Sequence, residues 1–275
     1  MIVEDGLRYI ESLKNHIPIP RDRRESHLAT DDLHQNDVRR ADAVYTAAYL
    51  RLEAVVPGFT IEQVGDLKHI TYGRPKMGVW HELEAGDAAP AEVLAVIAEH
   101  PDLRDAYVAF HTSDEGPEAQ FRDAGYTRIV RNYLMRLDVR DSAGRPDDQI
   151  VRLTTEAEIE RLAMLREDGR ILPEYVNDPA IGCYALVVDD VPVASAVVIT
   201  DGDTAVVEYV QTLERYRRLG YGRWFMRGLH RLAANNGAHW MVLASNDQGL
   251  PLYESLGYQP LRYIDIYHRQ EIPGT

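Results

Sequence analysis

The sequence has little cysteine and no long apolar run. Cys183 is the single cysteine among 275 residues and lies beside an apolar stretch, which excludes a disulfide framework and a multi-thiolate metal site and favours a structural role for this thiol. The longest apolar run, residues 191–199, is too short to span a membrane. The first residues are acidic where a signal peptide would be basic. We therefore expect a cytoplasmic protein with no membrane segment.

Net positive charge is also missing. The formal net charge is −14, spread evenly over the two halves of the chain, so no basic face for docking nucleic acid is expected. The ten histidines are scattered, and His81-Glu82 lacks the second histidine of a zinc-binding helix. We therefore expect no metal site.

The length fits two domains of ordinary size. Hydrophobic periodicity and turn residues predict an N-terminal arm over residues 1–36 with a helix at 4–15, a first domain over 37–138, a polar linker over 139–149 and a second domain over 150–275. In the first domain we expect helices at 37–55, 90–100 and just before Gly125, with strands at 59–64, 68–72, 78–84 and 106–111. In the second we expect the order β-α-β-β-β-α-β-α-β, ending in a strand pair over 258–268.

A short internal repeat appears when the halves are offset by 132 residues. The segment from Phe121 to Tyr126 then lies over the segment from Tyr253 to Tyr258. In each half an apolar strand precedes this segment and a strand with arginine and tyrosine follows it. The pattern indicates a duplicated domain, although an unrelated α/β accessory domain in the first half is an open alternative.

One segment of the second half is suited to binding phosphate. Residues 215–223 join the end of a strand to the start of a helix, and two glycines let backbone N–H groups point at an anion there. Six arginines and no carboxylate lie between Arg215 and Asn246, although the protein is acidic. This local positive charge favours a polyanionic ligand.

The spacing Arg217-x-x-Gly220-x-Gly222 is that of an acyl-CoA pyrophosphate loop, and residues 150–268 resemble the GCN5-related N-acetyltransferase (GNAT) family. The resemblance implies a mixed, mostly antiparallel α/β (α+β) sheet flanked by helices, with two tandem GNAT-like lobes in this chain. It also implies acetyl-CoA or another acyl-CoA as co-substrate. Glycine-rich dinucleotide and nucleoside triphosphate loops have other spacings.

The resemblance also assigns positions in the cofactor site. Strand 204–212 would part from strand 239–245, and the pantetheine would pair with the backbone of Val210 and Thr212. Asn246 would line the reactive end. The pyrophosphate would be held by the side chain of Arg217 or Arg218 and by the amides of Leu219, Gly220, Tyr221, Gly222 and Arg223.

Two side chains carry the implied chemistry. Tyr253 matches the family position that protonates the departing thiolate. Glu208, a lone carboxylate on strand 204–212, is our candidate for the base that takes the amine proton, with Glu174 or Asp178 acting through water as alternatives. The implied mechanism is direct attack of an amine on the thioester, with the oxyanion held by a strand amide.

The first half has no such loop. Glu82, Glu84 and Asp87 stand where the loop would be and would repel a pyrophosphate, and Phe121 replaces the tyrosine. We therefore expect a degenerate lobe and an N-acyltransferase acting on a small-molecule primary amine. A non-catalytic acyl-CoA-binding regulatory module is the alternative. The acidic loop 166–180, with Glu167, Asp168, Glu174 and Asp178, favours a cationic acceptor. Monomer and homodimer both remain open.

Overall fold

The computed structural model describes residues 32–74, 78–113, 117–166 and 168–269. The helix predicted at 4–15, most of the predicted N-terminal arm, and Glu167 lie outside these residues. The described chain divides into two compact units. One holds Pro57–Tyr133 together with the chain from Leu261 on, and the other holds Gln35–Val56 and Leu134–Pro260.

The first unit is built from strands with two helices. Its strands neighbour one another in the order β1-β2-β3-β4-β11, and all adjacent pairs are antiparallel except β3 with β4. Val93 and Ile97, one turn apart on α2, are buried in a core with Phe110 and Phe121. The elements are β1 (Thr60–Val64), β2 (Leu67–Arg74), β3 (Gly78–Gly86), α2 (Pro90–Glu99), β4 (Tyr107–Thr112), α3 (Pro117–Asp123) and β11 (Gln259–Arg269).

The second unit contains the segment that resembles an acyltransferase. Its strands neighbour one another in the order β10-β9-β8-β7-β6, and only β9 with β10 is parallel. Phe225, Leu229 and Ala233 recur every fourth residue of α5 and are buried, which anchors that helix. The elements are α1 (Asp32–Ala54), β6 (Ile150–Leu153), α4 (Glu156–Arg166), β7 (Ile181–Val188), β8 (Val191–Asp201), β9 (Thr204–Thr212), α5 (Tyr221–Asn235), β10 (Trp240–Ser245) and α6 (Leu250–Ser255).

The mixed, mostly antiparallel sheet flanked by helices that the sequence predicts is confirmed. Each half of the chain contains three strands, a helix, a parallel strand, a short helix and a further strand in that order, the first half ending with β5 (Tyr126–Asp138). The predicted strand pair over 258–268 is wrong, because residues 259–269 form the single strand β11. All side chains from Leu261 to Asp265 are buried, so this segment lacks the alternation of buried and exposed residues that is typical of a half-exposed strand.

The units differ from the predicted domains at both ends. Helix α1, predicted within the first domain, lies in the second unit, and β11, predicted within the second domain, pairs with β4 in the first. The predicted linker lies in the second unit too, where its Asp147 accepts hydrogen bonds from Trp224 at 2.6 Å and Arg231 at 3.2 Å. Polar composition alone does not reveal such contacts.

Candidate active site

Strand β9 contains an irregularity at its centre. Val197 of β8 pairs with Glu208 and Ser195 pairs with Gln211, so two residues of β9 stand opposite one of β8. Tyr209, inside this bulge, has φ 54°, a left-handed conformation that is uncommon outside glycine. A bulge bends its strand and re-aims neighbouring side chains. This bulge lies directly after Glu208.

The same strand parts from β10. The parallel pairing of β9 with β10 runs from Thr204 only as far as Val207, opposite Leu243. Beyond that point β9 continues for five residues, to Thr212, without a β10 partner in the register. The predicted divergence of these strands is therefore present, and Val210 and Thr212 lie in the part of β9 that has no β10 partner in the register.

The predicted phosphate loop connects β9 to α5. Arg218 has φ 62° and Gly220 has φ 87°, which turns the backbone into the helix. Trp224 makes the first helical hydrogen bond, to the Gly220 carbonyl at 3.0 Å. The N–H groups from Gly220 to Arg223 therefore precede the intrahelical ladder, where a helix attracts anions. Leu219 at the tip is 65% exposed.

The loop has the close packing and the charge that a pyrophosphate needs. A Cβ on Gly222 would lie 3.2 Å from Thr212 Oγ1, so a larger residue there would push into β9. Arg217 Nε donates to the Thr212 carbonyl at 3.0 Å, and Arg223 donates to the Ser255 carbonyl at 3.3 Å. Arg218 is exposed. These residues therefore fit the pyrophosphate of an acyl-CoA.

Glu208 sits at the bulge with an unusual environment. Its side chain is partly exposed, but Oε1 is buried and has no hydrogen-bond partner among the described residues. Burial raises the pKa of Glu208 from its ordinary value of 4.5 to about 7, against opposing effects from the Tyr45 hydroxyl and the Arg170 charge. A carboxyl group with that pKa can exchange protons at neutral pH.

Tyr253 lies on α6 and is 7% exposed. Burial and the nearby charge of Glu208 raise the pKa of its hydroxyl well above the usual value. Its ring meets Tyr258 edge to face, with centroids 5.5 Å apart. The hydroxyl is therefore protonated over the whole physiological pH range, as a proton donor must be.

Asn246 organises the start of α6. Its Oδ1 accepts hydrogen bonds from the backbone N–H groups of Gln248 and Gly249, both at 3.1 Å. Asn246 is exposed. Its side-chain oxygen thus orients the turn that carries Tyr253, in addition to the cofactor-lining role that the resemblance implies.

The acidic loop is largely neutralised by arginine. Arg51 holds Asp178 through two hydrogen bonds of 2.6 and 2.7 Å, which lowers the pKa of Asp178. Arg166 binds Asp168 in the same two-pronged manner, at 3.2 and 2.6 Å. Glu174 is exposed. Asp178 is therefore a poorer base than Glu208, and the sequence-based argument for a cationic acceptor weakens.

Three residues that the sequence did not single out as site residues surround Glu208. Tyr45 and Glu53 come from α1, and Arg170 comes from the loop after α4. Tyr209 donates a hydrogen bond to Glu53 at 3.0 Å. The sequence did not single out Tyr45, because helical periodicity does not tell which strands a helix will cover.

The described residues contain neither a metal-binding cluster nor a membrane-spanning helix, and their cysteine is not activated. Across the described ranges, no group of three or more His, Cys, Asp or Glu side chains is placed to hold a metal ion. Burial raises the pKa of Cys183 to about 12, so its thiol stays protonated. None of the helices in the described ranges combines the length and apolar character of a membrane span.

The parted strands and the helix-capping loop both lie within a segment that matches a family of acyl-CoA-dependent acyltransferases. Residues 148–258 match the model of the acetyltransferase (GNAT) family, so this segment of the chain is a GNAT domain. Domains of this family transfer acyl groups and use acetyl-CoA or another acyl-CoA as co-substrate. The resemblance indicated by the loop is thereby confirmed. No curated protein matches the chain.

Solved structures share the fold over most of the chain. A GCN5-related N-acetyltransferase from Kribbella flavida gives a TM-score of 0.59 at 20% identity, covering 86% of this chain and 96% of that one. A GCN5-related N-acetyltransferase-like protein from Streptococcus suis 89/1591 gives 0.52 at 14% identity, covering 86% and 99%. A functionally unknown conserved protein from Staphylococcus epidermidis gives 0.55 at 13%, covering 80% and 98%. The likeness concerns the fold.

Proposed function

We propose that the protein is an N-acetyltransferase that moves an acetyl group from acetyl-CoA to the primary amine of a small molecule. The observation that carries the proposal is the buried Oε1 of Glu208, which has no hydrogen-bond partner in the described part of the chain. It lies next to the bulge, at the point where β9 leaves β10. A buried carboxyl oxygen that makes no hydrogen bond is costly for stability. Its cost is understandable if the group removes a proton from substrate.

Different groups of the second unit bind different parts of the acyl-CoA in this proposal. The loop amides from Leu219 to Arg223, with Arg217 or Arg218, hold the pyrophosphate, and the backbone of Val210 and Thr212 aligns the pantetheine. When bound, acyl-CoA supplies the thioester as the electrophile. The backbone N–H of Val210, which has no β8 partner in the register, is our candidate donor to the acyl carbonyl oxygen.

Two proton transfers complete the reaction. Glu208 accepts the proton that the amine gives up as its nitrogen forms the new C–N bond. Tyr253 donates its hydroxyl proton to the sulfur, which leaves with the electron pair of the broken C–S bond. A proton then returns from Glu208 to Tyr253 through solvent, so the cycle neither gains nor loses protons.

We propose that the first unit is a degenerate lobe that binds no acyl-CoA. Glu82 and Glu84 lie in β3 rather than in a loop, but the start of α2 is still unsuited to phosphate. Pro90 has no N–H group, and the Ala89 N–H donates to its own helix, to Glu92 at 2.9 Å. These contacts remove donors that an anion would need. Phe121 is buried at the place of the tyrosine.

The acceptor in this proposal is a small amine without a required second charge. Asp168 and Asp178 are occupied by Arg166 and Arg51, so they do not attract a cationic substrate strongly. A panel of neutral, cationic and anionic primary amines, assayed by thiol release from acetyl-CoA, tests this point. A strong preference for polyamines would overturn it.

The decisive experiment is a calorimetric titration of acetyl-CoA into the purified chain. We expect one site per chain, lost in Gly222→Glu and weakened less in the neutral, similarly sized Gly222→Gln. Two sites would overturn the degenerate-lobe proposal, and no binding would overturn the transferase. Binding with no turnover on any amine, and no effect of Glu208→Gln, would favour a regulatory acyl-CoA-binding module.

A further inference from the structure

Helix α1 lies outside the segment that matches the family, which begins at residue 148. It nevertheless belongs to the same compact unit as β9. Two of its side chains make polar contacts with consecutive residues of that strand. Tyr45 hydrogen-bonds the Glu208 carboxyl group, and Glu53 accepts a hydrogen bond from the Tyr209 hydroxyl at 3.0 Å.

From this geometry we propose that α1 is part of the active site, with Tyr45 as a positioning residue for the Glu208 carboxylate. Glu53 supports this arrangement by holding Tyr209 in the bulge. The inference rests on the proposed function, because it assumes that Glu208 is the base. The proposal adds to the active site two side chains that lie outside the segment matching the family model.

The two α1 residues approach β9 from one side of the helix. Their separation of eight residues is slightly more than two helical turns. Ala41, Ala48 and Leu52, on neighbouring positions, are each less than 5% exposed, so packing fixes this side of the helix. A hydrogen-bond donor on a fixed helix selects one orientation of the carboxylate.

The bulge needs such support because Tyr209 has a left-handed backbone. A non-glycine residue keeps this conformation only where its surroundings hold it. Glu53, which is 1% exposed, binds the Tyr209 hydroxyl, and the Arg170 guanidinium lies 5.6 Å from the centre of its ring. Fixing Tyr209 fixes the direction of the neighbouring Glu208.

The two oxygens of the Glu208 carboxyl group have different surroundings. The Tyr45 hydroxyl donates to the carboxyl group, whereas Oε1 is buried and, in the described part of the chain, has no hydrogen-bond partner. We infer that Tyr45 anchors one oxygen and leaves Oε1 to take the amine proton.

The charged and titratable groups around Glu208 act in opposite directions. The Tyr45 hydrogen bond and the Arg170 charge favour the ionised carboxylate, and so does a backbone hydrogen bond at Tyr209. The charge of Glu53 disfavours it. Tyr253, on α6, is also close enough for its pKa to respond to Glu208. Replacing Tyr45 and replacing Glu53 must therefore shift the proton affinity of Glu208 in opposite senses.

The test is a set of kcat/KM profiles between pH 5 and pH 9.5. In Tyr45→Phe the acidic limb moves to higher pH by about half a unit or more. With a parent pKa of about 7, activity at pH 6.5 then falls by at least about 2.5-fold and recovers at pH 9. In Glu53→Gln, which keeps an acceptor for Tyr209, the limb moves to lower pH. The KM for acetyl-CoA stays unchanged in both.

Arg51→Gln is the matched control on the same helix. It removes the contact of α1 with Asp178 and leaves the groups around Glu208 in place, so the limb stays where it is in the parent. A purely structural role for α1 would instead lower activity equally at every pH in all three variants. That result would overturn the inference.

Glu208→Gln separates this inference from the proposed function. If it abolishes the acidic limb while Tyr45→Phe reproduces the parent profile, only the role of α1 is wrong. If Glu208→Gln retains both the rate and the limb, the proposed base is wrong as well. Should Tyr45→Phe unfold, the downward shift in Glu53→Gln decides the matter, and its absence would overturn the inference.

Discussion

Gly249 and Tyr253 are in closer contact than any other residue type at position 249 would permit. A Cβ built on Gly249 would lie 2.9 Å from Tyr253 Cε2 and 2.6 Å from Ser245 Oγ. The backbone of Gly249 has an ordinary helical conformation, with φ −81°. The glycine is therefore required for space, and the tyrosine ring is held against the turn that follows β10.

Gly249→Ala should consequently displace the Tyr253 ring without straining the backbone. We expect kcat to fall about ten-fold, because the proton donor is misplaced, while acetyl-CoA binding changes little. Steady-state kinetics with calorimetry measures both quantities. Gly144→Ala is the matched control, since its Cβ would meet only Arg231 at an ordinary 3.7 Å. Equal loss in the two variants would contradict the packing argument.

Removing the Tyr253 hydroxyl should act on chemistry rather than on binding. In Tyr253→Phe we expect kcat to fall roughly 100-fold, as for loss of a general acid. The acidic limb set by Glu208 should remain. Thioester donors whose thiol has a lower pKa should recover part of the loss, because the departing thiolate then needs less protonation. An unchanged kcat would exclude Tyr253 as the donor.

The pH dependence of the parent enzyme follows from Glu208. Because burial raises its pKa to about 7, the carboxylate becomes abundant only as the pH rises through neutrality. We expect kcat/KM to increase with pH across that value and to level off above pH 8. Glu208→Gln should remove this dependence together with most of the rate. A flat parent profile would count against Glu208.

Stability should vary with pH in the opposite sense. The pKa of Glu208 is higher in the folded protein than its ordinary value of 4.5, so the folded state binds the proton more tightly. Its contribution is complete below about pH 4 and is lost as the pH rises through about 7, an upper limit of about 3 kcal/mol. Denaturant unfolding at pH 5 and pH 8 should show Glu208→Gln gaining stability relative to the parent only at pH 8.

Asp178 should prove dispensable for catalysis. Because Arg51 lowers the pKa of Asp178, this carboxylate is ionised throughout the working range and is tied to its partner. Asp178→Asn should keep the acidic limb and lose less than three-fold in kcat/KM. The cost in stability should be about 1 kcal/mol or less, since Arg51 is half exposed. Loss of the limb would instead make Asp178 the base.

The sequence predicted the loop and the strands because their signals are local. Glycine spacing, arginines without carboxylates and the strand before them define residues 215–223 without any distant contact. The bulge at Tyr209 gave no such signal, because a tyrosine within Val206 to Val210 reads as regular strand. The hydroxyl of this tyrosine donates a hydrogen bond to Glu53, which is 156 residues away in the sequence.

The partners of α1 and β11 were not predictable for the same reason. Hydrophobic periodicity predicted the helix α1 but not the strands that it covers. The sequence indicated strand structure over residues 258–268, but it gave neither the single strand β11 nor β4 as the partner of that strand. Both choices are made by long-range packing, and local propensity carries no information about it.

The placement of α1 also has a consequence for how the chain folds during synthesis. Arg51 meets a partner 127 residues later and Glu53 one 156 residues later. The helix α1 therefore leaves the ribosome long before the strand β9 and the loop with Asp178, which it contacts in the folded protein. Contacts of such separation slow folding, since loop closure must precede them. We expect the apolar side of the nascent helix to stay exposed until these partners have been synthesised. The refolding rate of the second unit should then be limited by the docking of α1, and its yield should depend on chaperones.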